Sequence, residues 1–312
     1  MAVTTNNPIN DRRSERAAVA GRIKDTFAGW FIRINGQIAI LAIALIFVFL
    51  LKDSMPLFKD VTPWKFVSGR AWQPEFGVFG LLPLLAGSFV VTVGAVLFGV
   101  PVGVACAVYL AEVAPKWVRE IVKPVIEVLA GIPSVVIGFI GLMIAAPVIQ
   151  SLLNLPIGVT GLAGSVMLGF MALPTIVSMS EDAITAVPKS HRDGSLALGA
   201  SRWETISRVV VPAARSGIIA ACMLGVGRAV GETMTVLMVT GNAPALPNGL
   251  SGLGSYLLGP VRTMTATIAL EMGDCVQYSS HYHALFAVGL ALFGITFAIN
   301  LTADLILRKR KR

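Results

Sequence analysis

The sequence predicts an all-α polytopic membrane protein with six transmembrane helices, and three observations carry that prediction. Of its 312 residues, 55% are hydrophobic and only 13% charged, about half the charged share of an ordinary soluble domain. Its mean hydropathy of +0.77 would leave a folded domain in water with far too much apolar surface. The charges also leave long gaps, the longest being the 53 residues between Glu127 and Glu181, whereas a bilayer span needs roughly 20 apolar residues. Disordered chains are polar and collagen needs glycine at every third position, so neither fits this composition.

Taken in order, residues 1–33 are polar and read as a tail, and residues 34–51 form the first apolar run, ended by Lys52 and Asp53. The long polar approach and the lack of a small-x-small site set this run apart from a cleaved signal peptide, so the first helix is expected to stay. Residues 52–81 make an outer loop. The uncharged stretch 76–111 places the second helix at about 84–110. The 53-residue run is long enough for two helices, and the turn signal Asn154-Leu155-Pro156 divides it into 128–150 and 157–180. A fifth helix is expected at 216–241 and a sixth at 284–307, with a Gly- and Pro-rich loop at 242–283 and a basic tail at 308–312. Within that loop, residues 262–272 fit a short surface helix or a re-entrant segment equally well.

The basic residues orient this scheme, because basic loops are retained in the cytoplasm. Nineteen Lys and Arg fall in the N-terminal tail, the second and fourth connections and the C-terminal tail, against five on the other side. Both termini are therefore expected inside. The same asymmetry accounts for the net charge of +8 and makes a nucleic-acid partner unnecessary. Cys106, Cys222 and Cys275 show no CxxC or Cys/His spacing, and His281 and His283 have no carboxylate at ligand spacing, so no metal site is expected.

The cytoplasmic connection 187–212 does not read as a linker. Ser190 with Asp193, and Ser201 with Glu204, fit the capping-box pattern of two helix starts. Gly199 between them suits a left-handed turn. Leu196, Leu198, Trp203 and Ile206 make the segment apolar, either because they pack on the protein's own helices or because a cytoplasmic partner covers them. Asp193-Gly194-Ser195, then Gly199 after three residues and Val209-Val210-Val211-Pro212 after nine more, resembles the EAA loop of binding-protein-dependent ABC importer permeases. The glycine and the proline match in register, while Asp193 replaces a glutamate and Gly194 and Ser195 replace two alanines. The resemblance implies a type I importer permease fold. It also implies that Asp193, Gly194, Ser195, Leu196, Gly199, Trp203 and Pro212 belong to a coupling element that docks on an ATPase subunit.

Arg228 and Glu232 stand inside the fifth expected span, in the string Gly227-Arg228-Ala229-Val230-Gly231-Glu232-Thr233-Met234. A mid-span arginine costs about 2.5–3.5 kcal/mol on insertion scales, so it must face protein or a wet cavity. A spacing of four puts both charges on one face of a continuous helix, either as a structural ion pair or as a charged site on a transport pathway. Gly225, Gly227 and Gly231 are expected to admit close backbones. Pro133 and Pro174 are hinge candidates.

The GRAVGETM string, the Gly241-Asn242 that follows it and Ile132-Pro133-Ser134 resemble phosphate-importer permeases of the PstC kind, in the binding-protein-dependent transport system permease family, CysTW-like. The resemblance implies a transmembrane domain at 82–307 and a substrate pathway that includes Arg228, Glu232 and Thr233. It implies as partners a second, PstA-like permease, a dimeric PstB-like ATPase that holds ATP and Mg, and a periplasmic PstS-like phosphate-binding protein. The location implied is the bacterial inner membrane. No cofactor is expected on this chain, which has no GxxxxGK[ST] loop, no HExxH and no GxSxG, so it is read as a non-catalytic subunit. The alternatives are the sister phosphate permease, another oxyanion permease and an ion-driven secondary transporter, the last of which would not need a structured cytoplasmic loop.

Overall fold

The computed structural model describes the backbone of residues 8–247, 249 and 252–309 and, within these, the side chains of residues 29–302, 304 and 305. The chain divides into two compact units, Met1–Lys52 and Asp53–Arg312. The first consists of most of one helix, α1 (Pro8–Ser54), which contains the expected first span. This helix starts well before residue 34, inside the segment read as a tail. Arg, Ala, Glu and Lys supply most of residues 12–25, and all are strong helix formers, so polarity there did not mean loop.

The second unit opens with a small folded layer instead of a plain loop: α2 (Leu57–Asp60), α3 (Pro63–Ser68) and a hairpin of β1 (Trp72–Gln73) and β2 (Val78–Phe79). Trp72 pairs across from Phe79. Both are buried, with Leu57, Phe66, Leu84, Met264 and Leu285, in one apolar cluster. The second span is α4 (Leu82–Val108), prolonged by a π-helical turn at Tyr109–Val113.

Two spans depart from the expected helices, each at a backbone break that a hydropathy run does not show. The third was expected at 128–150, but residues up to Ala130 belong to a separate amphipathic helix, α5 (Lys116–Ala130), which also carries Glu127. The span proper is α6 (Ser134–Ile140), a π turn at Gly141–Ala145 and α7 (Ala146–Leu153). Pro133 has no N–H to continue the ladder and disfavours helical geometry at Ile132, which separates the two. The fifth span was expected as one helix at 216–241. It begins earlier, at α10 (Arg202–Thr205), and passes through a π turn at Ile206–Val210 into α11 (Val211–Val230). It then breaks at residues 231–233 before α12 (Met234–Val239). Pro212 cannot donate to the Arg208 carbonyl, which accounts for the π turn where it lies.

The fourth span, α8 (Gly161–Thr185), is the most buried. It runs along α4 and α11. A Cβ added to Gly169 would lie 2.9 Å from the Ala95 carbonyl oxygen, a close approach that glycine allows. Of Gly225, Gly227 and Gly231, only Gly225 stands at a comparable contact, against Ile176. The hairpin before α8 forms at the expected turn, where Asn154 takes the left-handed conformation (φ 49°) that ends α7.

At one end of the bundle lies α9 (Lys189–Ala197), and at the other α13 (Leu253–Leu257) and α14 (Met264–Glu271). The first turn of α14 is buried and packs with α4, α12 and α15 (Ser280–Lys309), so residues 262–272 form a tucked segment and not a surface helix. Residues 310–312 of the basic tail lie outside the described residues. Among the described residues six helical stretches are long and apolar enough to cross a membrane.

Candidate functional site

The two helix breaks come together. Arg228 projects from the last turn of α11 and donates to the Thr175 hydroxyl (3.2 Å) and to the carbonyl of Ala130, the last residue of α5 (3.3 Å). Thr235, in the first turn of α12, donates to the Ser134 carbonyl at the start of α6 (3.1 Å). A Cβ on Gly138 would meet the backbone of Thr235 at 3.1 Å, so α6 and α12 lie in direct contact. Both hinge candidates border this region: Pro133 caps α6, and Pro174 lies in α8 immediately before Thr175. Interrupted helices that expose unpaired backbone ends near mid-membrane are where transporters build their substrate sites.

The expected geometry of Arg228 and Glu232 is corrected here. They do not share a helix face, because the helix ends at Val230. No ion pair forms between them among the described residues. Glu232, only 9% exposed, folds forward so that its Oε1 accepts the backbone N–H groups of Met234 (3.1 Å) and Thr235 (3.2 Å). Its own carbonyl accepts from the Thr265 hydroxyl at 2.8 Å, tying the break to α14. The carboxylate thus satisfies donors that a new helix leaves orphaned. Arg228 is half-buried, and with only two of its N–H groups engaged, the rest of its planar fork has no protein partner among the described residues. Such a fork suits the oxygens of an oxyanion. Thr233 sits inside the break, and its carbonyl accepts from Leu237 (2.9 Å).

The segment 187–212 meets some of its expectations and departs from others. Ser201 and Glu204 form the full capping box of α10, whereas α9 starts behind Pro188 and Ser190 makes no cap. Proline at the N-cap leaves α9 to begin at Lys189, two residues before the pattern expects. Gly199 is left-handed at φ 88°. Of the four apolar residues, Ile206 is buried, while Leu196, Leu198 (91% exposed) and Trp203 (69%) face outward, so self-packing does not account for them. Asp193 and Gly194 are also exposed, as is Pro212. The Ser195 and Thr205 hydroxyls join α9 to α10 at 3.0 Å. Arg192 anchors α9 through Glu112 (2.6 Å), the Ile184 carbonyl (2.9 Å) and the Val187 carbonyl.

Sequence reasoning missed the ion pairs that fix the ends of the bundle. Glu181, expected beyond the end of the fourth span, is inside α8 and almost fully buried; it accepts from Arg119 and from Lys123 (2.7 Å), which also reaches Asp182 (2.6 Å). The Asp182 carboxylate, and after it Glu181, push the Lys123 ammonium above its ordinary value. The four-residue spacing of Arg119 and Lys123 was the available signal. At the opposite end of the bundle, Glu271 gathers Trp72 Nε1 (3.0 Å), Arg262 and His281 (2.8 Å). Among the described residues no group of three His, Cys, Asp or Glu could hold a metal ion.

Replacing Glu181 with alanine is expected to lower the stability of the purified protein by about 1–3 kcal/mol, because it leaves Arg119 without its carboxylate and Lys123 with Asp182 alone. Glu120→Gln, on the exposed side of α5, should leave thermal melting unchanged. Equal melting of the two variants would show that the clamp contributes nothing.

Residues 99–312 match the family model described as binding-protein-dependent transport system inner membrane component. The chain is 40% identical over 257 residues to a probable ABC transporter permease protein, YqgH, of Bacillus subtilis (strain 168), covering 82% of this chain and 81% of the relative. It is 34% identical over 267 residues to a phosphate transport system permease protein, PstC, of Mesorhizobium japonicum, covering 79% of each. Its fold is similar to a chain of a bacterial alginate ABC transporter solved in complex with an alginate pentasaccharide-bound periplasmic protein. There the TM-score is 0.58 at 15% identity, covering 93% of this chain and 98% of that one.

Proposed function

Because the chain belongs to the family of binding-protein-dependent transport system inner membrane components, and so is a permease subunit of an ABC importer, we propose that the anion it conducts across the bacterial inner membrane is inorganic phosphate. The observation that carries the substrate is the half-buried Arg228 at the meeting of two helix breaks, with part of its guanidinium fork unengaged. Similarity to phosphate permeases supports the same reading. Thr175 adds a hydroxyl beside it, and phosphate takes hydrogen bonds from both kinds of donor. Glu232 would repel a bare anion, but the Met234 and Thr235 amides donate to its Oε1 and offset part of that repulsion.

On this reading the partners are a second permease, an ATPase dimer that holds the ATP and Mg, and a periplasmic phosphate-binding protein. The exposed Leu196, Leu198 and Trp203, with Asp193, Gly194, Ser195, Gly199 and Pro212, form the surface for the ATPase. The chain itself carries out no chemistry. Radioactive phosphate uptake by cells carrying the full transporter tests it: uptake should survive collapse of the proton gradient and stop when ATP is depleted. Equal competition by sulfate or molybdate would replace phosphate with another oxyanion. Dependence on the proton gradient alone would indicate a secondary transporter.

The charge asymmetry gives a separate expected result. A single cysteine at Ser190 should react only with reagents that enter the cytoplasm, and one at Lys59 should react from outside. Outside labelling at Ser190 would remove α9 and α10 from the ATPase side.

A further inference from the structure

We propose that α5 is an interfacial helix whose stripe of Trp117, Ile121, Val125 and Val128 is embedded in the cytoplasmic leaflet of the lipid bilayer. At 100° per residue these four positions share an arc of about 80°, and they are between 51% and 72% exposed. The rest of the helix is accounted for differently. Val122 and Ile126 pack against the cluster of Leu110, Val177 and Ile184, while Arg119 and Lys123 are clamped to Glu181 and Asp182. A third sector carries Lys116, Glu120 and Glu127, all exposed. One helix therefore meets three surroundings: protein on one side, an apolar surface on the second and a mixed-charge surface on the third.

That division fits a helix lying along a membrane boundary, with its charged edge in water and its apolar edge among lipid chains. Its depth agrees. The clamp reaches the last turn of α8, and the Glu112–Arg192 pair stands just before α5 begins, so the helix lies at the aqueous end of the bundle. Beyond Pro133 the exposed apolar surface continues on α6 through Val135, Val136, Phe139 and Ile140, residues of a membrane span. Trp117 at the end nearer water is the residue type that membrane interfaces favour. Lipid also explains the borders of the stripe better than a protein partner does. A protein-docking patch carries a polar rim all round, whereas this stripe has charges along one edge only and the protein's own core along the other. The inference stands independently of which anion is carried.

The test uses the assembled transporter in lipid vesicles, with Cys106, Cys222 and Cys275 replaced by alanine and a bimane probe on a cysteine at Val125. A nitroxide high on the lipid acyl chain is expected to quench this probe about twofold or more above aqueous iodide, while a probe at Glu120 should show the reverse preference. A Val125 probe shielded from both quenchers would mean that protein covers the stripe, and one reached mainly by iodide would place it in water; either overturns the proposal. Native fluorescence gives a second reading without a label. Brominated lipid should quench the intact protein more than Trp117→Phe, and equal quenching would also overturn it.

Discussion

Phosphate uptake should fall about tenfold or more when Arg228 is replaced by glutamine, because a hydrogen bond to a charged group contributes about 1.5–3 kcal/mol and each 1.4 kcal/mol is a factor of ten. The loss should appear in transport and not in assembly. Arg228 holds Thr175 at 3.2 Å and the Ala130 carbonyl at 3.3 Å, and a glutamine amide can still donate to one of them. Arg228→Lys keeps the charge but loses the planar fork, so partial uptake is expected. Glu232→Gln should be milder than either, since an amide oxygen still accepts the N–H groups of Met234 and Thr235. An ion pair between the two would make the double replacement recover function, because removing both partners relieves the unpaired charge. With each side chain engaged elsewhere, the double variant should remain as inactive as Arg228→Gln. Recovered uptake at matched membrane abundance, with the ATPase still copurifying, would return both residues to the scaffold.

How much of this site was legible depends on what each kind of signal reports. Hydropathy reports where apolar residues lie, so the apolar runs that hold the six spans followed from it, while the Asn154 hairpin needed its turn signal. It does not report backbone continuity. Gly131, Ile132 and Pro133 are uncharged, so the run containing them reads as uninterrupted, and the division between α5 and α6 appears only when the missing proline N–H is followed through. Residues 231–233 contain no proline, and Glu232 there was read as a helical residue with a partner four positions back. Its capping of α12 could have been suspected from a carboxylate followed by Thr233, but only after the helix was known to stop. The clamp at Glu181 was hidden for another reason. An uncharged run ends at its first charge, whereas α8 continues to Thr185 because Arg119 and Lys123 pair with Glu181 from α5. The local chemistry of the cytoplasmic turn was readable, as the Ser201–Glu204 box and Gly199 show, because caps and left-handed glycines act within a few residues.

Replacing Gly199 with valine is expected to cut uptake about five- to thirtyfold while the protein still inserts, since a β-branched residue in the left-handed region costs about 1–2 kcal/mol. The effect must come through the backbone. A Cβ at this position would meet nothing within 4 Å, and φ is 88°, so there is conformational strain without a clash. The turn has little freedom to absorb it. The Gly199 N–H is held by the Leu196 carbonyl (3.0 Å) and the Ala200 N–H by that of Ser195 (3.2 Å), while Ser195 and Thr205 pin the two helices together. Arg192 fixes α9 to Glu112, so relief requires one of these contacts to break and α9 to rotate against α10. That rotation moves Leu198 relative to Trp203, the two most exposed apolar side chains of this segment, and spoils the surface proposed for the ATPase. Gly199→Asn provides the control, because asparagine tolerates the left-handed region and should retain most of the uptake and the copurifying ATPase. If valine and asparagine at Gly199 both leave association and transport at normal levels, the turn geometry is not what couples this chain to ATP hydrolysis, and the exposed side chains of α9 and α10 need another explanation.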